Sequence, residues 1–396
     1  MKRLLTSLFL VAALTLNAQT ITSQNSWVGS WATATQFTTK QTMPPVASLS
    51  NTSMRQIIHV SIGGDVLRLQ LSNEYSKQPM EITSIFIADA KDSCDINAKT
   101  ARYLTFNKQK GVVIPAGKTL MSDAVRYKLR PQQWLSITIN YGPKTPYEPT
   151  SHPGSRTTSY ILKGLAKPST PFGKGIRTDH WFTLMALDVF SPVSSAIAVL
   201  GNSITDGRGS TTNHQNRWTD IMAETLSKDR KTADIGVLNL GIGGNCVLEG
   251  GLGEPAIARF NRDIMQQRGV KRLIIFEGTN DIGGSHENSE TVARRLIETY
   301  KTFIKEAKTK GMKVYGATIT PFKNHYYYTP FHEAARQVVN EWIRTSKDFD
   351  GVIDFDALMR DPKDPAALKK ELQEDWLHPN AMGYREMGRY AAEIIK

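Results

Sequence analysis

The chain has 396 residues, 40% hydrophobic and 22% charged, with a formal net charge of +12. This composition excludes collagen-like, coiled-coil and low-complexity chains, and the length fits two folded domains better than one. The basic surplus comes without a basic helix interleaved with aromatics, which argues against nucleic-acid binding; scattered solubilising lysines explain it better than steering toward acidic polymers.

The first 18 residues have the pattern of a secretory signal. Lys2 and Arg3 precede a mostly apolar run from Leu4 to Leu16, and Asn17-Ala18 before Gln19 offers a cleavage point. The mature chain is expected to start at about Gln19 and to be secreted or periplasmic. The run is short for a membrane span, and no second long apolar run follows, so no membrane span is expected.

Residues 19–190 predict an all-β domain of sandwich or jelly-roll type. Ile57 to Ile62 is strand-like, Gly63-Gly64-Asp65 is a turn, and Val66 to Leu71 alternates apolar and polar residues as a half-buried strand does. Further strand-like runs are Ile82–Ala88, Val112–Ile114, Trp134–Tyr141 and Phe182–Val189. Cys94 lies here and Cys246 beyond; they offer no disulfide framework and are expected to be separate buried thiols, with a disulfide between them as the alternative, which needs Cα atoms within roughly 7 Å. His152, in Thr150-Ser151-His152-Pro153, is a weak candidate to reach a site built by the rest of the chain.

From about Ser191 the pattern becomes α/β, and a second domain over 191–396 is expected. Strands at Ala196–Leu200, Ile235–Leu240, Leu273–Phe276, Val314–Ile319 and Val352–Phe355 alternate with helices at Arg217–Leu226, Thr291–Lys308, Phe331–Thr345 and Ala381–Ile395. Alternation of this kind predicts a parallel sheet with right-handed crossovers, a three-layer α/β/α, flavodoxin-like unit. Ligand sites in such sheets lie beyond the carboxyl ends of the strands. Four short blocks fall near that rim: Gly201-Asn202-Ser203-Ile204, Asn239 to Asn245, Gly278-Thr279-Asn280-Asp281 and Asp375-Trp376-Leu377-His378-Pro379.

These residue types suit acyl transfer. A serine hydroxyl needs a base to become a nucleophile, and Ser203 follows a strand in a glycine-containing turn. His378 has the ordinary pKa for that base, and Asp375, three residues upstream, can accept the other ring N–H. Helix capping at Ser203 and Asp375 and a structural histidine at His378 are the plainer readings; all four blocks together favour catalysis. The aromatic run His325 to Phe331 lies on the same rim; Tyr326, Tyr327 and Trp376 are candidate substrate contacts, with a packed loop as the alternative. No His/Cys/Asp cluster has metal spacing and no phosphate loop stands out, so no metal or cofactor is expected.

Taken together, the four blocks resemble those of the SGNH (GDSL-type) hydrolase family, over about Ala196 to Lys396. The first half, with Trp27-Val28-Gly29-Ser30-Trp31, more weakly resembles the β-domain of secreted carbohydrate-esterase relatives. The resemblance implies an oxyanion hole of the Ser203 N–H, the Gly244 N–H and the Asn280 amide, with Gly241 and Gly243 as rivals of Gly244. It implies a serine esterase for short, mainly acetyl, esters on plant polysaccharides such as xylan or pectin. Two departures stand out: Asn202 replaces the usual Asp, and Trp376 a frequent Gly. The rival readings are a lipase, arylesterase or feruloyl esterase and, in another class, a glycan-binding protein with a decayed site. An acylated carbohydrate or small ester is the expected partner, and the oligomeric state is left open.

Overall fold

In the computed structural model, residues 26–92 and 94–396 are described; the expected signal segment lies outside them. The N-terminal part is β-rich and wholly antiparallel. One sheet runs Trp27–Ala32, Leu184–Phe190, Gly64–Ser72 and Thr119–Met121, with Val125–Leu129 also paired to Gly64–Ser72. The other has Thr52–His59, Trp134–Tyr141 and Met80–Asp89 at its centre. Leu67, Leu69 and Leu71, two residues apart, share one apolar core with Met54, Ile58, Ile85 and Ile137 from the second sheet. The expected strand at Phe182–Val189 is broken, because Thr183 takes a left-handed backbone (φ 67°). Its first residue, Phe182, instead belongs with Trp181 to a two-residue strand that pairs with Ser151–His152.

The C-terminal part is built on a five-stranded parallel sheet. Numbered along the chain, its strands are Ser195–Gly201, Ile235–Gly241, Val270–Phe276, Lys313–Ala317 and Gly351–Ile353, in spatial order 2-1-3-4-5. Alternate residues of each strand feed opposite faces. Ile197, Val199, Ile274 and Phe276 pack with helices Trp218–Ser227 and Ala381–Ile395. Ala198, Leu200, Leu273 and Ile275 pack with helices Ser289–Thr309 and Pro330–Thr345. Local chemistry sets the helix starts. Asn288 and Asn380 accept the N–H of Thr291 and Met382, and Thr329 caps a helix whose first residue is Pro330.

The two parts are joined through backbone as well as side chains. The Gly29 N–H donates to the Arg268 carbonyl (3.0 Å), and the Val237 N–H to Ser61 Oγ (3.0 Å). Gly29 and Gly236 make this approach possible: a Cβ on Gly236 would sit 2.5 Å from the Gly29 carbonyl oxygen. Val28 and Trp31 of the first strand belong to the same apolar cluster as Leu238, Leu240 and Ile264.

Candidate active site

The order 2-1-3-4-5 reverses direction between the first and third strands, where open parallel sheets form their crevice. Ser203 stands just past the first strand and Asn280 just past the third. The Asn202 side chain accepts the Ile204 N–H (3.0 Å) and starts the short helix Ser203–Asp206, which holds the serine at the rim. Ser203 Oγ lies 2.9 Å from His378 Nε2. His378 Nδ1–H donates to Asp375 Oδ2 (2.8 Å), which leaves Nε2 as the acceptor facing the hydroxyl. The Asp375 carboxylate also accepts the backbone N–H groups of Leu377 (3.2 Å) and His378 (2.8 Å), so the turn that carries the histidine also fixes its partner.

Burial holds His378 below the ordinary imidazole range, against the opposing pull of Asp375; the positive charge of Arg208 acts in the same direction as burial. Burial pushes the Asp375 carboxyl up, but its hydrogen bonds from His378 and Leu377 outweigh that and leave it below its usual value. Near neutrality the pair is therefore a neutral imidazole on an ionised carboxylate.

Among the glycines of the second block, the rivals are engaged elsewhere. The Gly241 N–H donates to Asn239 Oδ1 (3.0 Å) and the Gly243 N–H to Asp206 Oδ2 (3.0 Å). Gly244, left-handed at φ 68°, lines the same cleft as Ser203 and Asn280. Asn280 Nδ2 donates one hydrogen to the Asn245 carbonyl (2.7 Å), while its Oδ1 accepts from the Tyr327 hydroxyl (3.1 Å). The amide is thus oriented from both ends, with a second N–H to spare. A hydroxyl against a neutral imidazole, beside uncommitted N–H groups, can perform nucleophilic attack and hold the resulting oxyanion.

The cleft has a volume of about 820 Å³ and is lined by Ser203, His378, Gly244, Asn280, Tyr326 and Tyr327 among others. Trp376, expected as a substrate contact, is half-buried and not part of this lining; Leu377 is. The reason is the backbone, which is left-handed at Trp376 (φ 65°) and so brings the next side chain to the wall. That φ also suits a glycine at this position.

The N-terminal part supplies a wall of the same cleft through Gln36, Phe37, Thr39, Pro153, Gly154 and Arg156. No motif announces these positions. His152 does reach across, 2.9 Å from Asp206 Oδ1, with its other ring nitrogen 2.8 Å from the Ala34 carbonyl. Both ring nitrogens thus face oxygen partners, one from each part of the chain. Cys246 is buried near the cleft, its thiol pushed up to about 12 by burial and by Asp281 and Glu277, whereas Cys94, expected to be buried, is only half-buried on a turn near the surface. Among the described residues one trio, Asp92, Cys94 and Asp95, brings possible metal-ligand atoms within 4.8 Å of one another. It shares no residue with the cleft, and the Asp92 carboxylate there accepts the backbone N–H groups of Cys94 and Asp95.

Fold and site together define an α/β hydrolase with a serine, histidine and aspartate at the rim of a parallel sheet. Residues 199–386 match the model of the GDSL-like lipase/acylhydrolase family, and this part of the chain is a GDSL-like (SGNH) acylhydrolase domain. Among solved structures, the chain is similar to a GDSL-like lipase from Bacteroides thetaiotaomicron (17% identity, TM-score 0.37, 51% of this chain and 85% of that one). It is also similar to a catalytic mutant of an acetylxylan esterase from Geobacillus stearothermophilus (17%, TM-score 0.38, 51% and 95%). A carbohydrate acetylesterase family member from Sinorhizobium meliloti is a third such structure (13%, TM-score 0.38, 51% and 97%). No curated protein matches the chain. Among the described residues no helix is long and apolar enough to cross a membrane.

Proposed function

We propose that this protein is a serine esterase that removes short acyl groups, mainly acetyl, from plant polysaccharides such as xylan or pectin. The observation that carries the reading is the alignment of Ser203 Oγ, His378 and Asp375 at 2.9 and 2.8 Å. As Ser203 Oγ bonds to the acyl carbon, its proton passes to His378 Nε2 and the carbonyl electrons move onto oxygen. The N–H groups of Ser203 and Gly244 and the Asn280 amide hold that oxyanion. The bond to the sugar oxygen then breaks as the imidazolium of His378 protonates that oxygen, releasing the sugar hydroxyl and leaving an acyl-serine. Water gives its proton to His378 as it attacks, and the acid leaves with Ser203 restored. Asp375 steadies the imidazolium in both halves.

A carbohydrate partner suits a wide cleft with an exposed tyrosine, Tyr326, at its edge. In this reading the parallel sheet and its two helical layers form a flavodoxin-like unit over 191–396, preceded by a β-sandwich over 19–190 and exported by the segment 1–18.

Acetate release from a panel of acetylated polysaccharides, with Ser203→Ala as control, tests the assignment. Nitrophenyl esters of increasing chain length add a second axis. A preference for long chains would replace it with a lipase, and glycan binding without any turnover with a binding protein.

A further inference from the structure

Most arginines of this protein that approach the cores are neutralised. Arg259 faces Asp263 and Glu277, Arg262 faces Glu254 and Asp263, and Arg336 faces Glu333 and Asp356. The cleft differs. Arg156, from the β-rich part, and Arg208, from the segment after Ser203, both line it, and among the described residues neither forms an ion pair with a carboxylate.

Arg156 is the more constrained of the two. Its backbone is left-handed (φ 49°), its carbonyl accepts the Asn213 N–H, and its Nε is buried with no hydrogen-bond partner. A buried N–H left unsatisfied is unfavourable, a cost that an acceptor reaching it removes. Arg208 is anchored through its main chain: its N–H donates to the Ser203 carbonyl (2.9 Å), and its carbonyl accepts the Tyr384 hydroxyl (2.5 Å). The backbone is fixed beside the nucleophile while the guanidinium is exposed to solvent.

The acidic groups of the lining are hydrogen-bonded to other partners than these arginines. Asp206 and Asp375 are the carboxylates there, and each is committed to a histidine and to backbone N–H groups. Two guanidiniums are therefore left without an ion-pair partner, one from each part of the chain, in the cleft that holds Ser203. Planar guanidinium forks recognise carboxylates in two-point fashion, which a lysine does not reproduce.

We propose that Arg156 and Arg208 form an anion-recognition subsite, and that the preferred substrate is an ester carrying a carboxylate within reach of Ser203, as an acylated uronate does. This deepens the esterase reading and rests on it. The carboxylate could sit on the sugar or on the acyl group; the recognition chemistry is shared, and substrates separate the two.

The test compares wild type with the double variant Arg156→Gln/Arg208→Gln on two substrate pairs. One pair is acetylated polygalacturonate against acetylated xylan; the other is nitrophenyl hemisuccinate against nitrophenyl acetate. The expected result is a fall of at least tenfold in the ratio of kcat/KM on the acidic over the neutral member, and a weaker loss for Arg156→Lys/Arg208→Lys. A fall confined to the first pair places the carboxylate on the sugar, and one confined to the second places it on the acyl group. Unchanged ratios in both pairs overturn the subsite while leaving the esterase reading intact. Binding of oligogalacturonate to Ser203→Ala, with and without the two arginine changes, reads the subsite without turnover. If wild type hydrolyses no ester yet binding depends on both arginines, the esterase reading fails and the subsite stands; binding indifferent to them, together with no change of ratio on either substrate pair, overturns it.

Discussion

At the scale of residues, the site works through protonation and orientation. In the proposed reaction His378 must be neutral to accept the serine proton, and burial together with Arg208 favours that form, against Asp375 and Glu374. A group whose charged form is disfavoured titrates lower, so the acid limb of kcat/KM should have its midpoint below the ordinary imidazole value of about 6.5. Arg208→Gln removes a positive neighbour and should move that midpoint upward; a pH–rate profile on a neutral ester reads the shift. Asn280→Ala should cost on the order of 10²–10³ in kcat, the usual loss for one oxyanion donor. Tyr327→Phe leaves the amide in place but frees its carbonyl end, so roughly a tenfold loss in kcat with little change in KM is expected. Equal losses for the two variants in stopped-flow turnover would show that Tyr327 does more than orient Asn280. The departure at Asn202 also has a local account. Its amide neighbours Glu277, a carboxyl whose burial raises it far above its ordinary range despite Arg259 at 3.6 Å. An aspartate at 202 would place a second buried acid beside it.

At the scale of elements, the two-residue strand Ser151–His152 has an effect larger than its length. It carries His152 to Asp206, whose other oxygen holds the Gly243 N–H next to Gly244. His152→Ala should therefore lower kcat by roughly tenfold while KM changes less, since a weakened hold on Gly243 is felt where charge develops. Steady-state kinetics beside a circular-dichroism spectrum separates this from unfolding. Most long elements are legible from pattern alone: Trp134–Tyr141 and Ala381–Ile395 fall where alternation and helical spacing place them. The strand Ser151–His152 is not legible, because two residues carry no period. The same holds for the helices Ser203–Asp206 and Thr279–Gly283, which owe their form to caps and packing rather than to an amphipathic stripe.

At the scale of the whole molecule, the two parts share one apolar core and one cleft. A chain cut to residues 191–396 would expose Leu238, Leu240 and Val270 and lose the wall around Arg156, so it should be poorly soluble and inactive. The intact protein should unfold in a single calorimetric transition, with Gly236→Val lowering its midpoint because the added side chain meets the Gly29 carbonyl. Two well-separated transitions would show that the parts are energetically independent. The sequence by itself determined the chemical vocabulary: a hydroxyl, an imidazole, a carboxylate and an amide, each at the end of a strand or the start of a helix. It could do so because local periodicity sets the strands, and strand ends set the rim. Which glycine keeps a spare N–H, which aromatic faces the cleft and which arginines lack an ion-pair partner were decided only by the tertiary structure. Most of these depend on partners far along the chain, as with His152 and Asp206, and on the hand of single backbone residues, as at Trp376; neither leaves a mark in short-range pattern.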